Sequence, residues 1–155
     1  MHDIVKILST AERVVKGAIQ LANEQGQGRG GAYFCVVDRW TDQVVLHALI
    51  GSGPNNQIPK WREFSSEMCI RLLRHPEHET SFESQNLANN QFPGAVRGTD
   101  YIFGLYGLRS LDDEAAMLQV AIRLGQRDRK ATLDLIDEKR NPKLRRFLDV
   151  IHGTK

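Results

Sequence analysis

Histidines are the side chains of this sequence best suited to hold a metal or a cofactor. His47 lies among aliphatic residues on a predicted strand, where it could be an axial ligand of a buried cofactor or a core or interface histidine hydrogen-bonded to its neighbours. His75 and His78 have a spacing that could bind zinc on a helix, but Pro76 lies between them and no nearby residues complete a ligand set. We therefore interpret this pair as a solvated helix end and predict no metal site.

The two cysteines, Cys35 and Cys69, each lie in an apolar segment. A nucleophilic cysteine needs a neighbour that lowers the pKa of its thiol, and neither has a charged neighbour in the sequence. We predict that both are reduced core thiols of a cytoplasmic protein, and we assign no catalytic residue.

Residues 26–31 contain four glycines and resemble a phosphate-binding loop in composition. A dinucleotide-binding loop follows a strand and opens a helix, whereas this segment follows a predicted helix. We interpret it as a flexible connector.

A ligand pocket is predicted near Pro93 and the glycine-punctuated strand that follows it. Gly94 and Gly104 lack side chains, so that another group can approach the backbone there. Arg97 can supply a bidentate charge to a carboxylate. The alternative is a tight hairpin whose glycines serve only the turn. With His47, these four residues form the candidate ligand-binding set.

Capping patterns and apolar spacing predict the helices. Ser9 and Glu12 form a capping-box pattern that predicts the start of the first helix, while residues 4–8 are either a short strand or an extra helical turn. A second such pattern covers residues 80–83. Ser110 is predicted to cap a later helix, with acidic residues 112–114 facing its positive N-terminal dipole. Further helices are predicted to begin at Pro59, at residue 132 and at Pro142.

The predicted strands cover residues 32–38, 43–50, 95–96 and 101–108. The first two are joined by a four-residue hairpin loop, residues 39–42. Both faces of these two strands are mostly apolar, so each face is expected to be covered by helices or by another subunit.

Composition and charge exclude several classes of protein. The chain has 155 residues, of which 41% are hydrophobic, and this favours one domain with a sizeable core. Its net charge of +2 excludes a strongly basic nucleic-acid binder. No apolar run approaches the about 20 residues of a membrane-spanning helix, and residues 1–8 do not form a signal peptide.

The last thirty residues differ from the rest, because nine basic residues accompany five acidic ones from residue 126 onward. Apolar residues at helical spacing predict two short helices over 130–152 that dock on the domain or on a neighbouring subunit. The alternative is a disordered basic tail that captures an acidic partner.

The order of these segments resembles the GlcG/HbpS-like family, the haem-associated domains that also form the C-terminal part of PduO. The matching segments are the capped first helix, a strand that ends in Val-Val-Asp, a glycine-punctuated strand and an acidic, alanine-rich helix. They correspond to residues 9–12, 35–38, 104–108 and 112–116, and the resemblance covers about residues 5–125.

The resemblance implies an α+β fold of profilin-like layout, with helices packed on an antiparallel sheet of about five strands. It divides the chain into a domain over residues 1–125 and a basic helical extension over 126–155. It also implies a homo-oligomer that binds haem or a similar small molecule without catalysis. The alternatives are an interaction or regulatory module of profilin, GAF or roadblock shape, and a small-molecule enzyme of the same fold.

Overall fold

The computed structural model describes residues 3–151, which form an α+β fold. The helices are α1 (Ile4–Glu24), α2 (Ile58–Leu73), α3 (Ser110–Arg123), α4 (Arg129–Leu135) and α5 (Pro142–Val150). The strands are β1 (Gly31–Asp38), β2 (Val44–Gly51), β3 (Ala95–Arg97) and β4 (Tyr101–Tyr106). Within residues 3–151 the sheet is antiparallel and has four strands in the order β2-β1-β4-β3. The predicted fold class is confirmed, with one strand fewer than the expected five or so.

Strand β1 lies at the centre of the structure and is buried along almost its whole length. Phe34 and Val36 belong to the core that α1 and α3 share with the sheet. Cys35 and Val37 point to the opposite face and pack with residues of α2. Because successive side chains of a strand alternate between faces, helices on both sides explain why β1 is apolar throughout.

Strand β2 forms one edge of the sheet and is less covered. Val44 is 44% exposed and Leu49 is 37% exposed, whereas α2 packs on β1, β3 and β4. The expectation that both faces of this strand are covered is therefore not met by helices of the same chain. Cover by another subunit stays a prediction.

The first helix begins earlier than the predicted capping box. Asp3 is the N-cap residue, and its side chain accepts a hydrogen bond from the Val5 amide. Ser9 lies inside α1, and its hydroxyl donates to the carbonyl of Lys6. The prediction that Ser9 starts the helix is wrong, and of the two alternatives for residues 4–8 the extra helical turn is confirmed. Fully buried Ile7 extends the apolar stripe toward the N-terminus and keeps this segment helical.

The second capping box, by contrast, is present in the structure. The Thr80 hydroxyl accepts from the Phe82 amide, and the Glu83 carboxylate accepts from the Thr80 amide. The segment that follows is a single 3-10 turn (Ser81–Ser84). A further 3-10 turn, Leu87–Asn89, leads toward β3.

The first turn of α3 is buried rather than solvated. Ser110 is not the N-cap residue; Arg109 occupies that position without a side-chain cap, and the amide of Leu108 instead donates to the Asp113 carboxylate. Asp112, Asp113 and Glu114 are all buried. The predicted cap is wrong because Ser110 is already the first residue of the helix, and Asp113 binds the backbone that precedes it.

We expect Asp113→Asn to change how stability depends on pH. Burial, the largest cause, holds the pKa of the Asp113 carboxyl well above its ordinary range, and the Asp112 carboxylate adds to this. Because the folded chain binds this proton more tightly than the unfolded chain, the carboxyl contributes to stability below about pH 4. This contribution is lost as the pH rises and the carboxyl ionises. The amide of asparagine keeps an acceptor for Leu108 but cannot ionise.

The measurement is urea unfolding of wild type and Asp113→Asn between pH 4 and pH 7. The stability of the variant relative to wild type should increase as the pH rises through this window. A difference that is constant with pH would contradict the raised pKa.

The C-terminal helices lie against the rest of the chain. Asn141 is the N-cap of α5, which begins at Pro142 as predicted, whereas the helix predicted over 132–139 lies over Arg129–Leu135. The α5 helix packs on α3, and Gln119 donates to the carbonyl of Ile151. No helix among the described residues is long and apolar enough to cross a membrane.

Candidate functional site

The predicted site residues do not all lie together. His47 is exposed on edge strand β2, and its Nδ1 lies 2.7 Å from the hydroxyl of Tyr33. The two rings are stacked, with their centroids 6.0 Å apart. His47 is therefore hydrogen-bonded to a neighbour but is not a core residue. Of the core or interface histidine that the sequence suggested, only a position at an interface stays a prediction.

Gly94 and Gly104 make close packing contacts. A Cβ atom at Gly104 would overlap the sulfur of Cys69 on α2, and one at Gly94 would overlap the carbonyl oxygen of Leu105. Pro93 is buried beside them. The groups that approach these two glycines are thus other parts of the same chain, and a role for either glycine in binding a ligand stays a prediction.

Arg97, at the end of β3, has a different environment. It is only 8% exposed, and its guanidinium contacts backbone carbonyls: Nε donates to His78 (2.9 Å), and Nη2 donates to Leu72 (2.7 Å) and His75 (3.0 Å). These carbonyls belong to the end of α2 and the turn after it, where helical backbone acceptors lack partners. No carboxylate within the described part of the chain forms an ion pair with Arg97.

A second guanidinium, that of Arg39, lies at the same end of the sheet. Arg39 follows β1, and β4 separates β1 from β3, so that the register places the end of β1 and the end of β3 on either side of β4. Its Nη1 donates to the carbonyls of Gly98 (2.7 Å) and Thr99 (3.1 Å). Its guanidinium carbon lies 5.1 Å from the centre of the Trp40 ring. Burial first, and then the Arg39 charge, lower the pKa of Arg97.

The two arginines share a cleft. Arg39, Arg97 and Pro76 line two hollows of about 440 and 470 Å³. Their further lining residues include Thr99 and Arg127 in the first, and Trp40 and Arg74 in the second. We call these seven residues the arginine cleft.

Three carboxylates also line these two hollows, Glu79 and Asp128 in the first and Asp42 in the second, so the charges of the arginine cleft are partly compensated. Arg127 pairs with Glu79 at 2.9 Å and also donates to the carbonyl of Arg97. In contrast, Nη1 of Arg97 and Nη2 of Arg39 make no hydrogen bond to any of residues 3–151. Guanidinium N–H groups that have no protein acceptor can donate to a carboxylate or a phosphate, each of which accepts two parallel hydrogen bonds.

Sequence reasoning identified Arg97 but not Arg39 or Arg74. Arg39 was assigned only to the hairpin loop, and nothing in its local sequence shows that β1 pairs with β4 far along the chain. Its position directly after a buried strand was the one available signal, because a residue that follows a central strand lies at the end of the sheet, beside the ends of the neighbouring strands.

The cysteines are buried and free, and the sulfur of Cys69 lies 3.9 Å from the carbonyl oxygen of Cys35. Neither cysteine has a charged neighbour in the sequence, but the fold brings Ser66 and Arg62 of α2 near Cys35. Its pKa is lowered, mainly by the hydrogen bond from Cys69 and further by Ser66 and Arg62, against the effect of burial. Burial raises the pKa of Cys69. No group of three or more histidine, cysteine or acidic residues within residues 3–151 is arranged to hold a metal ion.

Comparisons with known proteins find similarity only among solved structures; no family model and no curated protein matches the sequence. The crystal structure of HbpS is 20% identical, with a TM-score of 0.42, over 76% of this chain and 89% of that one. A double mutant of Streptomyces reticuli HbpS is 20% identical, with a TM-score of 0.43, over 76% of this chain and 86% of that one. The sequence was predicted to resemble the GlcG/HbpS-like family, and HbpS is among the similar structures.

Proposed function

We propose that this chain is a small-molecule-binding domain whose ligand is an organic anion held in the arginine cleft. The observation that carries the proposal is the environment of Arg97. Its charge is almost fully buried, its hydrogen-bond partners are neutral carbonyls, and its neighbour Arg39 has the same sign.

Keeping two guanidinium groups together costs free energy, because each is partly desolvated and repels the other. A bound carboxylate or phosphate would offset both effects by accepting hydrogen bonds from the free N–H groups. An anion would thus convert an unfavourable arrangement into a favourable one.

Trp40 supports an organic ligand rather than a bare inorganic ion. Its ring is 71% exposed and packs beside the Arg39 guanidinium. An exposed aromatic ring next to a cation offers a surface to an apolar or planar group that carries the anion.

The test is a titration with citrate and pyrophosphate, followed by the indole N–H resonance of Trp40 in a nitrogen-15 NMR spectrum. We expect Arg39→Gln to weaken binding about tenfold, since it removes a charge-assisted hydrogen bond. Arg97→Lys keeps the charge and should weaken binding less. Arg146→Gln, on the exposed side of α5, removes one charge elsewhere and is the matched control.

The proposal would be overturned if neither anion moved the Trp40 resonance at about 10 mM, which corresponds to binding too weak to be specific. It would also fail if Arg39→Gln and Arg146→Gln weakened binding equally, because only the overall charge would then matter.

Haem is the second candidate ligand, and the observation that favours it is the geometry of His47. The hydrogen bond between Nδ1 and Tyr33 fixes the ring, while Nε2 has no partner among residues 3–151 and is open to an axial bond. A Soret band that appears on haem addition and disappears in His47→Ala would support it. No spectral change at stoichiometric haem would exclude it.

We also propose a cytoplasmic homo-oligomer. The uncovered apolar residues Val44 and Leu49 on edge strand β2 support contact with another subunit. The proposed location rests on a different observation: the two free, buried thiols fit a reducing compartment. Light scattering that showed a 17.6 kDa particle at micromolar concentration would contradict the oligomer.

A further inference from the structure

A separate hollow of about 380 Å³ lies at the end of the sheet opposite the arginine cleft. Gly31 at the start of β1 pairs with Gly51 at the end of β2, whereas Arg39 follows the other end of β1. We call this hollow the glycine cleft. It is lined by residues 28–31, residues 52–54, Gln57, Trp61 and Gly107.

Arg29 is the charged residue of the glycine cleft. Its Nε is buried and has no hydrogen-bond partner, and its guanidinium forms no ion pair with any described residue. Its backbone, in contrast, is fixed: the Arg29 amide donates to Asn23 Oδ1 (2.6 Å), and Asn23 Nδ2 donates to the Arg29 carbonyl (3.0 Å). A buried donor without an acceptor is costly, and the terminal nitrogens of the same guanidinium also make no hydrogen bond to any described residue, so they are available to an acceptor from a ligand.

The aromatic wall of the glycine cleft is also held in place. Trp61 packs against Gly53, where a Cβ would lie 2.8 Å from the indole ring. Its other side meets Tyr106 edge to face, with the ring centroids 6.2 Å apart. The indole is only half-buried. A fixed and partly exposed aromatic ring is a suitable surface for a flat apolar group.

Two further polar groups line the glycine cleft without partners. The hydroxyl of Ser52 and the side-chain amide of Gln57 make no hydrogen bond with other described residues, although the Ser52 amide donates to the carbonyl of Gly30 at 3.0 Å. A few polar groups around an apolar wall are the usual composition of a small-ligand site.

The surroundings favour a single negative charge on the ligand. Among the described residues that line the cleft, Arg29 is the one charged side chain. A single guanidinium matches a single carboxylate, which can accept two parallel hydrogen bonds from it.

From these contacts we infer that the glycine cleft is a second binding site, which takes a small aromatic carboxylate. The carboxylate accepts hydrogen bonds from the Arg29 guanidinium, and the aromatic ring of the ligand packs on Trp61. Ser52 and Gln57 supply the remaining hydrogen-bond groups. This site is independent of the anion site proposed for the arginine cleft.

The two tryptophans of the chain make this inference testable, because each cleft contains one. Trp40→Phe leaves a single indole N–H resonance, that of Trp61, and thereby assigns both signals. The probe is benzoate, with benzamide as its neutral counterpart of equal shape. We expect benzoate to shift the Trp61 resonance saturably, and Arg29→Gln to weaken this binding about tenfold.

Arg146→Gln is again the control for charge, and the remaining resonances of Arg29→Gln report whether the variant is folded. The inference is overturned if benzoate leaves the Trp61 resonance unchanged, if it moves only that of Trp40, or if benzamide binds equally well. A pyrophosphate titration that moves Trp40 while benzoate fails would uphold the arginine cleft alone. The reverse result would uphold the glycine cleft alone.

Discussion

Replacing Arg140 with methionine is expected to lower the free energy of unfolding by about 3–5 kcal/mol, the range measured when one partner of a buried ion pair is removed. The side chain of Glu114 on α3 is completely buried. Arg140 donates to both of its oxygens, with Nη1 to Oε1 at 2.8 Å and Nη2 to Oε2 at 2.5 Å. Without Arg140 the carboxylate would stay buried with no opposite charge beside it.

Three further contacts explain why this pair is central. The Thr80 hydroxyl donates to Glu114 Oε2 at 2.6 Å, and Asn141 Nδ2 donates to Oε1 at 2.8 Å. The guanidinium of Arg140 also lies over the ring of Phe82, 3.3 Å from its centre. One buried carboxylate thus connects α3, the Thr80 turn and the segment that leads into α5.

The measurement for Arg140→Met is urea unfolding at neutral pH. The matched variant is Arg140→Met combined with Glu114→Gln, which removes both charges and keeps hydrogen-bond groups at position 114. It should be more stable than Arg140→Met alone, because no uncompensated charge is left. A loss below about 1 kcal/mol for Arg140→Met, the value typical of exposed pairs, would show that the pair is not effectively buried.

The sequence predicts those helices and strands whose ends are marked by residues close to them in the chain. Strand β1 is predicted almost to its ends, since an apolar run bounded by glycines and a polar hairpin loop has few alternative structures. Pro59 likewise marks the first turn of α2, and Pro142 begins α5, because proline fits the first turn of a helix.

The start of α1 shows the limit of such patterns. Ser9 and Glu12 satisfy the spacing of a capping box, but the same residues are equally stable inside a helix if apolar residues precede them on the buried face. Ile7 is such a residue, and its burial depends on the tertiary core rather than on local spacing.

The buried acids of α3 depend on contacts that are distant in sequence. Asp112 and Glu114 were expected only to face a helix N-terminus, where the dipole favours negative charge. The cations that face them, Lys143 and Arg140, come from the C-terminal segment. No spacing in the sequence reveals this pairing, so the burial of an acidic turn could not be predicted.

Only Arg97 of the two central arginines of the candidate site could be predicted from the sequence, because the position of Arg39 also depends on contacts that are distant in sequence. Arg97 was proposed from its type and from the glycines near it. Arg39 joins it only because β4 pairs with both β1 and β3, which brings the ends of two strands together. The like charge of this neighbour, which suggests an anion site, is therefore a property of the fold.

Phe147→Ala is expected to lower the free energy of unfolding by about 3–5 kcal/mol, the usual cost of truncating a buried phenylalanine. Phe147 is 3% exposed and belongs to the main core, together with Leu144 of the same helix. The α5 helix has nine residues, and isolated helices shorter than about 12–15 residues are marginal in water. Its stability therefore comes from this burial, and loss of the ring should also release the helix.

Hydrogen exchange checks the release of the helix, and urea unfolding checks the loss of stability. In wild type the amides of residues 144–148 should exchange slowly, because α5 is docked; in Phe147→Ala they should exchange faster than those of β1. Leu148→Ala, at a half-buried position next to Phe147, is the control and should cost clearly less. Exchange at random-coil rates across residues 144–148 of wild type would refute docking and favour a disordered basic tail.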